Sequence, residues 1–122
     1  MIKQASLTPV ANYKITEQDT GTKWIDGRTI YSKTYNMGAL ATGTVSQPHG
    51  ITGLDFVLEY KGYVKRADTL AFTIPRVYTD LTNYGLYFDK INGANLEGYV
   101  GLGYTAGLAI TESAVTIYYL KV

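Results

Sequence analysis

One stretch, residues 22–35, decides the fold: Thr22-Lys23-Trp24-Ile25-Asp26-Gly27-Arg28-Thr29-Ile30-Tyr31-Ser32-Lys33-Thr34-Tyr35. Its centre is the dipeptide Asp26-Gly27, which lies between two runs of residues that favour β-structure, and it holds the only tryptophan, Trp24. Asp-Gly is typical of a tight hairpin turn of the primed type, because glycine adopts a positive φ without a steric penalty. The stretch therefore predicts a β-hairpin whose structural residues are Trp24, Asp26 and Gly27.

Outward from this hairpin, the sequence continues as short strands separated by turn residues. Residues 54–61 alternate apolar and polar side chains, a pattern that predicts a strand with Phe56 on its buried face. Gly62 should end or bulge that strand, and Asn92-Gly93 predicts a second hairpin turn. No segment keeps the periodicity of a helix, and seven or eight short strands spaced roughly ten residues apart indicate an all-β fold, either a sandwich or a barrel. We expect an antiparallel β-sandwich of jelly-roll-like topology.

The length of 122 residues suits one domain, which we place at residues 22–122. Residues 1–21 have few clustered apolar side chains and predict a short extended N-terminal arm that anchors the domain to a partner. The candidate docking residues of this arm are Ile2, Leu7, Val10 and Tyr13. The N-terminal sequence has the pattern of neither a signal peptide nor a membrane span.

Composition argues against several functional classes. The formal net charge is +1, so there is no basic excess to neutralise nucleic-acid phosphates. The absence of cysteine excludes disulfides and thiolate metal sites. The single histidine, His49, predicts a loop residue bonded to backbone, and the acidic residues match neither a calcium loop nor a glycosidase pair. We therefore expect no enzyme and no bound cofactor or metal.

Twelve tyrosines against three phenylalanines allow two interpretations, solvated sheet faces or an oligomer or sugar-stacking surface. Residues 99–104 combine tyrosine with glycine, and the last strand, 114–121, is apolar on both faces. A monomer would leave such surface partly exposed, which favours an oligomer. The candidate contacts are Tyr99, Tyr104, Ile117 and Tyr119. Two alternatives stay open: these side chains fill the interior, and the last strand is central in its sheet.

Several motifs occur here in the order and spacing of a known β module. They are Thr16-Glu17-Gln18, Trp24-Ile25-Asp26-Gly27, Ile30-Tyr31-Ser32-Lys33-Thr34, His49-Gly50-Ile51 with Asp55 and the strand to Gly62, Ile74-Pro75, and Val115-Thr116-Ile117-Tyr118. Through these motifs the chain, from about Ile15 to the C-terminus, resembles a small C-terminal module of bacteriophage virion proteins, especially tail fibres and head fibres.

The resemblance implies a homotrimeric β-sandwich. Since the module follows only a short arm here, it further implies a small virion protein, such as a head-fibre, decoration or tail-fibre subunit displayed on the particle surface. The expected partners are other copies of the chain and other virion proteins, and the expected location is a virion assembled in the host cytoplasm. The alternative is a glycan-binding receptor-recognition module of a tail fibre, with tyrosines stacking on a host-surface glycan.

Overall fold

The chain folds almost entirely as β-structure in a computed structural model, which describes residues 13–76, 80–92 and 94–122, without the side chains of 89–92. Its strands are β1 (Gln18–Lys23), β2 (Thr29–Asn36), β3 (Gly43–Pro48), β4 (Leu54–Arg66), β5 (Ala71–Ile74), β6 (Leu86–Asn92), β7 (Asn95–Val100) and β8 (Ile110–Lys121). The helical residues are one turn, α1 (Leu81–Tyr84), and a 3-10 turn, Ala106–Leu108.

The strands form two antiparallel sheets. The five-stranded sheet has the order β1-β2-β8-β4-β5, and the three-stranded sheet has the order β3-β7-β6. This arrangement confirms the all-β prediction and is consistent with a sandwich. β8 lies in the middle of the larger sheet, so its two apolar faces are explained by a central position, one of the alternatives left open by the sequence.

The described chain divides into two compact units. The first comprises residues 13–35, 51–60 and 116–122 and contains the β1–β2 hairpin, the first part of β4 and the end of β8. Its buried residues are Ser32, Tyr35, Thr116, Ile117, Tyr119 and Leu120. Complete burial of an aliphatic side chain such as Leu120 contributes about 1.5–3 kcal/mol relative to leaving it in water.

The second unit comprises residues 36–50 and 61–115, apart from those the structure leaves undescribed. It contains the three-stranded sheet, in which Gly43 to Pro48 of β3 pair with Val100 to Asn95 of β7 without a break. Its buried apolar residues are Val64, Ile74, Leu86, Leu96, Val100, Tyr104, Ile110 and Val115.

Both predicted hairpins are present as strand pairs. β1 pairs with β2, and β6 pairs with β7 with Asn92 opposite Asn95, so that the predicted Asn92-Gly93 step lies at the turn; Gly93 is outside the described residues. β1 begins at Gln18, so residues 18–21, which the sequence assigned to the arm, belong to the sheet.

Two expectations for β4 are wrong. The strand does not end at Gly62 but continues to Arg66, because Gly62 allows the neighbouring strand to come close. A Cβ at Gly62 would lie 2.1 Å from the Ala114 carbonyl oxygen and 2.8 Å from Val115 Cα. Phe56 is 44% exposed instead of buried. Asp55 and Phe56 are both exposed, so the strict alternation is interrupted where β4 begins.

We predict that Gly62→Ala destabilises the protein by about 1–3 kcal/mol, the usual cost of forcing extra volume into a packed site. The atoms that its Cβ would meet are backbone atoms, which cannot rotate away. Urea unfolding measures the change. Gly107→Ala is the matched control, since a Cβ there meets nothing within 4 Å. Equal stability of the two variants would contradict the close approach.

Candidate functional site

The predicted hairpin turn is present, with a geometry different from the predicted one. The Trp24 N–H donates to the Arg28 carbonyl at 2.8 Å, and the Gly27 N–H donates to the Trp24 carbonyl at 2.9 Å. Gly27 has the predicted positive φ, 90°, but Asp26 does not have one. The turn is therefore of neither primed type, because type I′ needs a positive φ at both central residues and type II′ needs one at the first. It is a longer turn that Gly27 closes.

Trp24 and Asp26 have separate roles in this turn. Trp24 is half-buried, so the tryptophan covers part of the unit without entering its core. The Asp26 carboxylate accepts from the Arg28 backbone N–H at 3.0 Å and from Arg28 Nε at 2.8 Å. The backbone hydrogen bond from Arg28 is the largest influence on Asp26 and lowers its pKa.

Arg28 joins the turn to two other strands. Its Nη1 donates to the Asp55 carboxylate on β4 at 2.7 Å and to the Lys121 carbonyl at the end of β8 at 3.2 Å. The hydrogen bonds to Asp55 and then to Asp26 raise the pKa of Arg28. One guanidinium thus connects three segments that are far apart in sequence, using the forked set of N–H donors that only arginine has.

A second group of polar residues surrounds the ammonium group of Lys121, whose backbone carbonyl is bonded to Arg28. The Tyr119 hydroxyl donates to Glu17 at 2.6 Å, and Lys121 Nζ donates to the other oxygen of Glu17 at 3.1 Å. Lys121 Nζ is also 5.2 Å from the centroid of the Tyr31 ring, which stacks on Tyr119 at 6.0 Å. Burial, followed by the hydrogen bond to Glu17, raises the pKa of Tyr119.

Lys121 contacts both groups, so they form one network, which we call the Arg28–Glu17 network: Glu17, Asp26, Arg28, Asp55, Tyr119 and Lys121. Its carboxylates all accept hydrogen bonds from cations or from the tyrosine. Such an arrangement holds strands together and fixes side-chain positions. Sequence reasoning gave Glu17 and Arg28 no role in a site. The Asp26-x-Arg28 spacing was a signal for Arg28, but no local pattern marked Glu17, since its partners are more than 100 positions away.

The oligomer contacts predicted from the sequence are wrong for three of four residues. Tyr104, Ile117 and Tyr119 are 2%, 3% and 0% exposed within a single chain, so they fill its interior, as the alternative interpretation held. Tyr99 is half-buried, and its hydroxyl donates to the Thr82 carbonyl. The nearby glycines serve packing inside the chain: a Cβ at Gly101 would lie 2.2 Å from the Asn83 carbonyl oxygen.

The remaining predicted residues are His49 and the arm. His49 follows β3 and is 4% exposed, and its backbone N–H donates to the Ala94 carbonyl at 2.9 Å. Of the docking candidates, Ile2, Leu7 and Val10 lie outside the described residues, and Tyr13 is 57% exposed. Directly after it, the Lys14 carbonyl accepts from the Thr34 N–H on β2 at 2.9 Å.

Within the described ranges, no three residues among His, Asp and Glu form a group that would hold a metal ion. No helix found there has the length and apolar character needed to cross a membrane. The chain matches no protein-family model, no curated protein and no solved structure.

We predict that Arg28 and Asp55 stabilise the protein as a pair. Arg28→Gln and Asp55→Asn should each lower the stability, and the double variant should lose less than the sum of the two, because either change removes the same 2.7 Å hydrogen bond. Urea unfolding of the four proteins gives the coupling. Glu59→Gln is the matched control on the same strand, and it should be additive with Arg28→Gln. Additive effects of Arg28 and Asp55 would contradict the role of the network.

We also predict a pH dependence that originates at Glu17. Partial burial acts to raise the pKa of this carboxyl, but the hydrogen bonds from Tyr119 and Lys121 outweigh it and place the pKa below its ordinary value of 4.5. A lowered pKa in the folded state stabilises the protein above the unfolded-state pKa, and this contribution is lost as the pH falls through the folded-state value. Stability measured across the acid range should therefore fall less steeply in Glu17→Gln.

The control for this experiment is Glu59→Gln, which removes one carboxyl of the same unit and so measures the effect of losing a negative charge alone. A Glu17→Gln profile parallel to that of the wild type would show that the carboxylate is not held as the structure describes it.

Proposed function

We propose that this chain is a bacteriophage virion structural protein, displayed on the particle surface as a head-fibre, decoration or tail-fibre subunit. The proposal starts from the sequence resemblance, and one structural observation supports it. Two contacts in the first unit join motifs that carry the resemblance and that are separated in sequence.

The contacts between these segments are specific. Arg28, directly after the Trp24–Gly27 turn, bonds to Asp55, which follows the His49-Gly50-Ile51 motif. The hydroxyls of Thr34 and Thr116 are 2.7 Å apart, and this contact connects the second motif with the last one. Residues that hold one unit together are expected to recur in every copy of a shared module. These contacts therefore give a physical reason why the motifs occur together. An all-β domain of two antiparallel sheets also suits a rigid surface-displayed knob.

In this proposal the arm attaches the domain to the particle. The Lys14 carbonyl accepts from Thr34 on β2, and we assign docking to the residues that precede it, up to Tyr13. Ile2, Leu7 and Val10 supply the apolar contacts. The resemblance also suggests a trimer, for which the exposed side chains of Leu70, Leu81 and Leu102 offer apolar surface that the buried Tyr104 and Tyr119 do not.

The test is reconstitution on particles assembled without this chain. We expect the purified full-length protein to bind such particles, and a variant with Ile2, Leu7 and Val10 replaced by serine to remain folded but unbound. The matched control replaces Gln4, Ser6 and Thr8 by alanine, which changes the same number of arm residues and keeps the apolar ones. Cryo-electron microscopy and mass spectrometry measure the occupancy.

Each result decides a separate part of the proposal. Wild-type particles that lack the chain would refute a virion role. Normal occupancy with the serine variant would refute docking through the arm. Light scattering tests the oligomer on its own: a mass equal to that of the single 13.4 kDa chain would refute the trimer.

The rival function, a glycan-binding receptor-recognition module, has one observation in its favour. Tyr63 is an exposed aromatic side chain on a strand, and a neighbouring carboxylate holds it.

A further inference from the structure

The β1–β2 turn contains two neighbouring groups that can react with each other. Asp26-Gly27 is the only Asp-Gly step in the sequence. In such a step the glycine nitrogen can attack the aspartate side chain, because glycine carries no side chain that hinders the approach. The Asp26 side chain is 44% exposed, and Gly27 is exposed as well. Water therefore reaches both reacting groups.

The reaction available to this pair is isomerisation of the aspartate through a succinimide. The Gly27 nitrogen forms a bond to Cγ of the protonated Asp26 carboxyl, whose hydroxyl group leaves as water with the proton of the amide. Water then adds to one of the two carbonyls of the five-membered ring. Opening at the backbone carbonyl of Asp26 leaves isoaspartate, in which the chain continues through the side-chain carbon. The reaction consumes and releases only water, so it needs no enzyme, metal or oxidant.

The folded turn holds both groups in an unreactive arrangement. The Asp26 carboxylate accepts from the Arg28 backbone N–H through Oδ1 at 3.0 Å and from Arg28 Nε through Oδ2 at 2.8 Å. These hydrogen bonds favour the ionised carboxylate and lower the pKa of Asp26, and a carboxylate has no hydroxyl group to lose. The Gly27 N–H donates to the Trp24 carbonyl at 2.9 Å. The first step therefore requires that all three hydrogen bonds be given up.

We propose that Asp26-Gly27 is a site of spontaneous aspartate isomerisation, and that the folded turn suppresses the reaction, in part through the Arg28 guanidinium. Isoaspartate adds one carbon to the backbone of a turn that the Trp24 and Gly27 hydrogen bonds close. The longer backbone would displace Arg28 from Asp55 and from the Lys121 carbonyl. The modification would thus detach the hairpin tip from β4 and β8. The chemistry requires no particle, so this inference is independent of the proposed virion function.

The test is incubation of the full-length protein at neutral pH, folded or unfolded in urea. Tryptic digestion and mass spectrometry then measure the aspartyl and isoaspartyl forms of the peptide that begins at Trp24, which does not contain the Asn92-Gly93 step. We expect isoaspartate to form in the unfolded chain and at least about tenfold more slowly in the folded one, since three hydrogen bonds oppose it. In heavy-oxygen water the isoaspartate should carry one heavy oxygen, because the ring opens by adding water.

The Arg28 side chain is tested with folded Arg28→Gln, which removes the hydrogen bond from Nε and keeps the backbone N–H. This variant should isomerise about threefold faster than the wild type, the order expected for loss of one exposed hydrogen bond. The matched control is Asp55→Asn, which removes another bond of the same guanidinium and keeps the three hydrogen bonds at Asp26 and Gly27. It should isomerise more slowly than Arg28→Gln.

Four results would overturn the proposal. Absence of isoaspartate in the unfolded chain would show that the step does not react. Equal rates in the folded and the unfolded wild type would show that the turn gives no protection, and this comparison requires no variant to fold. Arg28→Gln reacting at the wild-type rate would remove the guanidinium from the argument. Asp55→Asn reacting as fast as Arg28→Gln would assign the effect to general loosening of the unit.

Discussion

The guanidinium of Arg28 is the interaction on which the first unit depends. It bonds to the turn that contains it through Asp26, to β4 through Asp55 and to the end of β8 through the Lys121 carbonyl. A hairpin alone is only marginally stable in water. Arg28 fixes the tip of the β1–β2 hairpin to two strands from later in the chain, and this contact makes the hairpin part of a larger unit. The side chains of Arg28 and Asp55 are about one-third exposed, so their main effect is on geometry, because exposed ion pairs contribute little free energy.

The parts of the fold that follow from local rules could be predicted from the sequence. The positive φ of Gly27, the pairing of β6 with β7 and the end of β5 before Pro75 all depend on a few adjacent residues. The predictions were wrong where the local structure depends on a residue far away in the sequence. β4 passes through Gly62 because the backbone of β8 needs the space beside it. A single sequence contains no sign of such an approach, since glycine at that position reads equally well as the end of a strand.

Contacts between residues far apart in sequence also explain why only some residues of the candidate site were predicted. Asp26 and Gly27 were identified because a turn has a recognisable sequence. Glu17 was not, because its role exists only when Tyr119 and Lys121 arrive from the other end of the chain. Ile117 and Tyr119 were assigned to an oligomer interface for a related reason: periodicity shows that a strand is apolar on both faces but not what covers them. In this chain the covering atoms are its own.

The hydroxyl groups give the high tyrosine content a function inside the molecule. Tyr104 donates to the Tyr84 carbonyl at 2.9 Å, Tyr99 to the Thr82 carbonyl and Tyr119 to Glu17. Phenylalanine would fill the same volume but would lose these hydrogen bonds, and those of Tyr104 and Tyr119 are partly buried, where the loss of a hydrogen bond costs most. Tyrosine at these positions therefore combines core packing with the attachment of loops, and it needs no external ligand to explain it. Tyr63 does not fit this explanation, because it is 42% exposed although its hydroxyl is bonded to Glu112.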